Sequence, residues 1–131
     1  MYKNSKKQGD AGLGQAIAYF TLKGYDVAVP LTDSADWDLI VEIDGELKRI
    51  QVKTSSQIRL GVMVFSAFVS GGNKSGNMPG KPIQDQVWDQ IFLYHLITKQ
   101  SALIPKEALS STRGQINLGK KYEKYLIDSG Y

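Results

Sequence analysis

The chain has 131 residues, of which 42% are hydrophobic and 22% charged, values typical of a globular protein that buries one core. It contains no cysteine, which excludes disulfides and thiolate metal sites. No apolar run is long enough to span a bilayer, and the basic N-terminus is not followed by the apolar region of a secretory signal. We therefore expect one domain over residues 1–131, located in the cytoplasm and without a membrane partner.

The charges are distributed unevenly, although the net charge is only +3. Residues 1–25 carry +3, residues 26–46 carry −7 with no base, and residues 47–131 carry +7. An acidic segment in an otherwise basic chain suits a protein that binds a polyanion and holds a metal ion beside it. Scattered surface charge would give the same totals, and composition alone favours neither interpretation.

The first predicted element is a helix over residues 11–23, with Asp10 as its N-cap and Gly24 just beyond its end. Its apolar residues lie on two faces, which indicates packing on both sides. Gly12 and Gly14 each cost about 1 kcal/mol relative to Ala inside a helix. They indicate either a close approach by another element or a ligand, or a later helix start.

The remaining elements are mostly predicted strands. The segment 70–82 is a long polar loop, and such loops are usually functional or disordered. The apolar segment 87–98 fits a strand or a helix. The other assignments are a first strand at 25–29, a hairpin at 37–54, a third long strand at 57–70 with a kink at Gly61, a strand at 101–105, a short helical turn at 106–111 and a polar terminal helix at 118–128.

The hairpin turn at Asp44-Gly45 predicts which side chains meet at its far end. A two-residue type I′ turn makes the numbers of facing residues sum to 89, so Asp38 faces Gln51. Lys53 lies two residues beyond Gln51 and therefore on the same side of the sheet. A carboxylate, an amide and an ammonium at the edge of an apolar sheet need partners. An Asp–Lys ion pair with a Gln hydrogen bond would satisfy them without any catalytic function.

These residues resemble the PD-(D/E)XK nuclease superfamily. The N-terminal helix, the "DLIV" strand after Trp37, the Asp-Gly turn, the "QVKT" strand from Gln51 and the later "WDQIFLYHL…ALIP" segment are similar to its small bacterial members, above all to group I intron-encoded homing endonucleases. The resemblance implies a mixed α/β (α+β) fold with a restriction-endonuclease-like core, in which helices flank a central mixed β-sheet.

The resemblance also implies roles for the residues at the end of the hairpin. Asp38 would be the central metal-binding carboxylate. Gln51, where most members carry Asp or Glu, would contribute its amide oxygen, and Val52 its backbone carbonyl. Lys53 would orient the attacking water or stabilise charge on the phosphate. The implied cofactor is Mg²⁺, for which Mn²⁺ can substitute.

The helix position that carries Glu in close relatives is Gln15 in this chain, which we assign to the catalytic set. Asp38 then is the one carboxylate assigned to the site, although Asp36 and Asp10 are near in sequence. Either metal binding is weak and depends on DNA, or Gln15 is a disabling replacement in a protein that binds DNA and scarcely cuts it. As a third alternative, Gln15 is an ordinary hydrogen-bonded helix residue.

Double-stranded DNA is the implied partner, and the segment 57–84 is the predicted DNA-contacting arm. Its donors lie on and beside a glycine-rich tip that could enter a major groove. These donors are Arg59, Asn73, Lys74, Asn77 and Lys81. A mobile solvent loop is the alternative. Because one domain holds one active site and cutting a duplex takes two, we expect a homo-oligomer, a dimer or a tetramer.

The predicted function is therefore site-specific, Mg²⁺-dependent DNA endonuclease activity of the homing type. The alternatives are DNA binding on the same fold without catalysis, and a resolvase-type or repair-type nuclease that recognises DNA shape. His95, the only histidine, is expected to be a packed structural residue.

Overall fold

The computed structural model describes residues 4–69 and 80–128, and all structural statements below concern these residues. Within them one long helix, α1 (Ser5–Leu22), is followed by nine strands. The strands are β1 (Asp26–Ala28), β2 (Leu39–Ile43), β3 (Glu46–Ser55), β4 (Gln57–Arg59), β5 (Val62–Ser66), β6 (Gln90–His95), β7 (Ser101–Pro105), β8 (Gln115–Asn117) and β9 (Leu126–Ile127). Short 3₁₀ turns occupy Ile83–Asp85, Lys106–Leu109 and Lys120–Tyr125.

The strands form two sheets. The larger has six strands in the order β1-β2-β3-β6-β7-β9, and the smaller has three in the order β4-β5-β8. In the larger sheet β3 and β6 are parallel, and the other neighbours are antiparallel. The predicted fold class, a central mixed sheet with a flanking helix, is confirmed.

The large sheet is covered on both faces, because alternate residues of its strands enter two different clusters. On one face Phe92 packs with Ala16 and Phe20 of α1. On the other face Ile91 packs with Phe65 and other residues of the small sheet. The central strands β3 and β6 therefore lie between α1 and the small sheet, which explains their nearly continuous apolar sequence.

The helix begins earlier than the sequence predicted. Asn4 is its N-cap, and the Asn4 side chain accepts a hydrogen bond of 3.0 Å from the Lys7 backbone N–H. The assignment of Asp10 as N-cap is therefore wrong. The predicted close approach occurs at Gly12, where an added Cβ would overlap the methyl group of Thr54 on β3. At Gly14 an added Cβ would meet no atom within 4 Å.

The hairpin of β2 and β3 has the predicted register, with Leu39 facing Ile50 and Ile43 facing Glu46. Its turn has φ values of 52° at Asp44 and 85° at Gly45, as a type I′ turn requires. The residue pairs of this hairpin sum to 89, so the register on which the site prediction depends is confirmed.

The predicted third strand over 57–70 is wrong as a single element. Leu60 and Gly61, with φ of 50° and 78°, form a second tight turn that reverses the chain from β4 into β5. Strand β5 then pairs with β8, which the sequence pattern did not reveal. The ambiguous segment 87–98 contains strand β6, and the predicted strand at 101–105 is confirmed.

The predicted terminal helix over 118–128 is also wrong, because this region forms a 3₁₀ turn and the short edge strand β9. His95 is fully buried, as expected. Its Nδ1 accepts hydrogen bonds from the backbone N–H groups of Ile97 and Thr98, and its Nε2 lies 2.9 Å from the Gln57 carbonyl oxygen. No described helix has the length and hydropathy needed to cross a membrane.

Candidate active site

Asp38 and Gln51 meet at one backbone donor. The Val52 N–H donates to Asp38 Oδ2 at 2.8 Å and to Gln51 Oε1 at 3.1 Å. The Asp38 backbone N–H also donates to the Ile50 carbonyl at 2.8 Å, which fixes the chain just before β2 against β3. Two side-chain oxygens, one from a carboxylate and one from an amide, are thus held beside the same point of β3.

Lys53 lies on the same face of β3 as Gln51 and is half-buried. Its Nζ donates to the Phe68 carbonyl at 3.3 Å. Burial raises the pKa of Asp38, although the Val52 N–H and the Lys53 ammonium partly oppose this effect. Burial likewise lowers the pKa of Lys53, and the Asp38 carboxylate partly opposes it. The two charged groups therefore interact electrostatically in surroundings that disfavour both charges.

A cleft of about 550 Å³ gives access to Asp38. It lies between α1 and the segment that leads into β2, and Asp38 forms part of its wall. The other lining residues are mostly apolar and include Leu13, Val29, Pro30 and Trp37. Asp38 therefore lies on the wall of an open cleft.

Leu13 of α1 lines this cleft, and Gln15 is not among the described residues that line it. Gln15 is exposed on α1. Residues two apart on an α-helix point in nearly opposite directions, so a helix that turns Leu13 toward the cleft turns Gln15 away from it. The catalytic assignment of Gln15 stays a prediction. Leu13 and Gln15 lie on opposite flanks of the buried stripe formed by Gly12 and Ala16, so the helical positions alone do not tell which flank faces the cleft.

Asp36, the nearest other acid before β2, already has partners. Its Oδ2 accepts from Lys81 Nζ at 2.9 Å and from the Val87 N–H at 3.0 Å. Burial raises the pKa of Asp36, but these two hydrogen bonds, together with the charges of Lys81 and Lys106, hold the pKa below its usual range. Lys81, which the sequence assigns to DNA binding, is thus tied to the segment that carries Asp38.

Of the other predicted DNA-binding residues, the structure describes Arg59. Arg59 is exposed at the end of β4. Asn73, Lys74 and Asn77 lie outside the described residues, so their assignment stays a prediction. Within the described residues, the fold brings together four of the residues that the sequence assigns to the site: Asp38, Gln51, Val52 and Lys53.

Comparison with known proteins agrees with this arrangement. A family model described as PD-(D/E)XK endonuclease matches residues 3–124. The chain belongs to the PD-(D/E)XK endonuclease family. A solved structure of a bacterial homing endonuclease, I-Ssp6803I, is similar to this PD-(D/E)XK protein with a TM-score of 0.72 and 21% sequence identity. The match covers 95% of this chain and 88% of that one, and it shows the fold. No curated protein matches the sequence.

Membership of the PD-(D/E)XK family makes the chain a nuclease with a DNA substrate, and such nucleases generally use divalent metal ions. Across residues 4–69 and 80–128, no three His, Cys, Asp or Glu side chains are grouped as metal ligands would be. The side-chain oxygens that the fold brings together here are instead those of the Asp38 carboxylate and the Gln51 amide. Both are hard donors, which Mg²⁺ and Mn²⁺ prefer.

Proposed function

We propose that this PD-(D/E)XK protein is a site-specific endonuclease of the group I intron homing type, which hydrolyses phosphodiester bonds of double-stranded DNA with Mg²⁺. The main support is that Asp38 Oδ2 and Gln51 Oε1 both lie at the Val52 N–H, and that Asp38 lines an open cleft. The structural likeness to a bacterial homing endonuclease supports the homing type.

The residues near Asp38 fit a hard divalent cation. The Asp38 carboxylate, the Gln51 amide oxygen and the Val52 carbonyl would hold it, and Asp38 is the one charged ligand among them. When bound, the ion supplies Lewis-acid activation of the scissile phosphate. Because one negative charge holds Mg²⁺ weakly, we expect the ion to bind tightly only when a DNA phosphate adds its own charge.

The protein's own side chains have two further tasks. In the reaction a water oxygen attacks phosphorus, and the bond from phosphorus to the leaving sugar oxygen breaks. Lys53, beside Asp38, places a cation where negative charge grows on the phosphate, and in a half-buried site its effect is larger than in bulk water. Leu13 and Trp37 line the same cleft as Asp38 and add apolar surface to it.

Binding of the duplex is proposed to involve Arg59, Lys81 and the loop residues Asn73, Lys74 and Asn77. Arg59 is exposed and available to a phosphate, whereas Lys81 shares its charge with Asp36. We therefore expect substitution of Arg59 to weaken DNA binding more than substitution of Lys81. A homo-oligomer, dimer or tetramer, is proposed because cleavage of both strands requires two sites.

Cleavage of supercoiled plasmid tests the proposal. The wild-type chain should nick the plasmid with Mg²⁺ or Mn²⁺ and not with EDTA. Asp38→Asn and Lys53→Met should each reduce the rate by about 100-fold or more. Asp33→Asn is the matched control, because Asp33 lines the same cleft from an exposed loop. An equal loss in Asp33→Asn, or metal-independent cutting, would contradict the proposed site.

A second candidate function is DNA binding without cleavage, and the alkyl side chain of Leu13 beside Asp38 favours it. It predicts a salt-dependent gel shift of duplex DNA with no nicking at any metal concentration.

Gel shifts on duplex and four-way junction DNA test the resolvase-type alternative, which predicts tighter binding to the junction.

A further inference from the structure

Within residues 4–69 of the described structure, two tight turns share the same positive-φ backbone but differ in composition. In each, both central residues have positive φ, namely Asp44-Gly45 at 52° and 85°, and Leu60-Gly61 at 50° and 78°. Asp tolerates the left-handed region because its short polar side chain bonds locally, whereas Leu does not. Leu60 is therefore unfavourable at the first central position of its turn, which Asp44 occupies in the other hairpin.

Packing within the described fold does not compensate for this strain. The Leu60 side chain is fully exposed, at 103% of its reference area. Ile58, two residues earlier on β4, is 46% exposed. A strained backbone that presents an apolar side chain to solvent does not stabilise the folded chain. Such conformational outliers are typical of functional positions.

The hairpin of β4 and β5 is firmly attached to the strand that bears the candidate active site. At its base Ser55 Oγ donates to the Val64 carbonyl at 2.5 Å and accepts from the Gln57 N–H at 3.0 Å. His95 Nε2, whose other ring nitrogen accepts hydrogen bonds, donates to the Gln57 carbonyl at 2.9 Å. The anchored base fixes the direction in which the turn points.

The turn is also close to the site along the chain. Leu60 follows Lys53 by seven residues, a span of at most about 25 Å when extended. Arg59, immediately before Leu60, is exposed. The turn thus combines an apolar tip with an adjacent cation, within reach of a duplex that contacts Lys53.

We propose that Leu60 is a wedge that inserts between two adjacent base pairs of the DNA near the cleavage point, with Arg59 bound to a neighbouring phosphate. This inference rests on the proposed function, because it requires a DNA duplex at the site. Apolar side chains, including Leu, unstack base steps in this way and kink the duplex. The stacked bases supply the apolar surface that Leu60 lacks within its own chain.

Fluorescence of 2-aminopurine tests the wedge, because this base brightens when it is unstacked. The probe is a set of duplexes selected for binding from randomised DNA, each with 2-aminopurine at one step, and the protein is the full chain bearing Asp38→Asn to prevent cleavage. We expect one step to brighten by about fivefold on binding. Adding Leu60→Asn or Leu60→Ala should remove at least four-fifths of that increase.

Two further measurements separate the wedge from a structural role. Leu60→Asn should raise the melting temperature, because Asn suits a left-handed turn position, so that stability and DNA distortion change in opposite directions. Leu47→Asn is the matched control, since Leu47 is 68% exposed on the other hairpin, and it should leave the fluorescence unchanged.

Two outcomes would overturn the inference. If the Leu60→Asn variant binds DNA and keeps the fluorescence change, Leu60 is not a wedge, although the proposed function stands. If the sedimentation coefficient of that variant also differs from that of the parent protein, Leu60 contacts another copy of the chain. If the selection recovers no bound DNA, the proposed function fails together with the wedge.

Discussion

Leu13 and Asp38 line the same cleft from two different parts of the chain, Leu13 from α1 and Asp38 from the position just before β2. An alkyl group thus lies in the cleft that is lined by the proposed metal ligand Asp38. A second carboxylate at position 13 would add a charged oxygen donor beside Asp38. We predict that Leu13→Glu tightens Mn²⁺ binding about tenfold or more, because a second negative charge a few ångströms away contributes on the order of 1–4 kcal/mol.

Titration calorimetry with Mn²⁺, with and without DNA, measures this change, and plasmid nicking shows whether the rate follows. Gln15→Glu is the decisive comparison, since the sequence assigns the catalytic helix position to Gln15, which is exposed. It should leave Mn²⁺ affinity near that of the wild type. Leu13→Gln controls for the loss of the alkyl group without adding charge. If Gln15→Glu tightens binding and Leu13→Glu does not, the helix position in the site is Gln15.

The Asp38–Lys53 pair should reduce the stability of the fold at neutral pH. Burial raises the pKa of Asp38 and lowers that of Lys53, so folding disfavours both charges. The contribution of Asp38 to stability is present at low pH and is lost as pH rises through its raised pKa. That of Lys53 is present at high pH and is lost as pH falls through its lowered pKa. Between these two values, both contributions are missing.

We therefore predict that the double variant Asp38→Asn, Lys53→Met is more stable than the wild type by about 1–3 kcal/mol near pH 7. Its advantage should shrink below the raised pKa of Asp38 and above the lowered pKa of Lys53. Each single variant should be less stable than the double, because it leaves one buried charge without its partner. Urea denaturation at a series of pH values measures the free energy of unfolding of the wild type, the two single variants and the double variant. A double variant no more stable than the wild type would contradict this account.

The residues that could be predicted from the sequence are those whose position follows from local rules. Asp44-Gly45 is a favourable type I′ turn, and that turn alone determines the register that places Asp38 opposite Gln51. The Leu60-Gly61 turn has the same backbone conformation, but Leu is not a typical turn residue. The sequence around it therefore resembles one long strand with a kink. Strand β8 has three residues, of which only Ile116 is buried, too short a pattern to recognise.

The helix side of the site was hard to predict for a different reason. Which residue of α1 faces the cleft depends on the rotation of the helix about its axis. That rotation is set by the contact of Gly12 with Thr54, which lies 42 positions later in the chain and is not a local property of the sequence. Asn73, Lys74 and Asn77, which the sequence predicts to lie in a loop, are outside the described residues.

The Arg49–Asp89 contact should stabilise the junction of β3 and β6. Asp89 accepts from the Arg49 backbone N–H at 2.7 Å and from its guanidinium through two bonds of 3.2 Å. We predict that Asp89→Ala lowers the free energy of unfolding by about 1 kcal/mol, chiefly through the lost backbone bond, since solvent screens the charges. The Arg49 guanidinium lowers the pKa of Asp89, so this contribution is present above the usual carboxyl pKa and is lost as pH falls through the lowered one.

Thermal and urea denaturation at pH 7 and at low pH check this prediction, and the effect of Asp89→Ala should decline with pH. Glu46→Ala is the control, because Glu46 forms an exposed pair with Lys48 within the same hairpin. It should leave stability unchanged. An Asp89→Ala effect that is independent of pH would show that the carboxylate charge plays no part.

Gly12 and Gly14 should respond in opposite ways to the same substitution. Gly12→Ala places a methyl group against the Thr54 side chain, which must shift or push the helix away, and we predict a loss of about 1–3 kcal/mol. Gly14→Ala meets open space inside the helix and should gain about 1 kcal/mol from helix propensity. Urea denaturation measures both. Thr54→Ser removes the methyl group that the new side chain would strike, so it should recover much of the loss in Gly12→Ala; recovery of none would mean that the helix does not rest on β3 at this point.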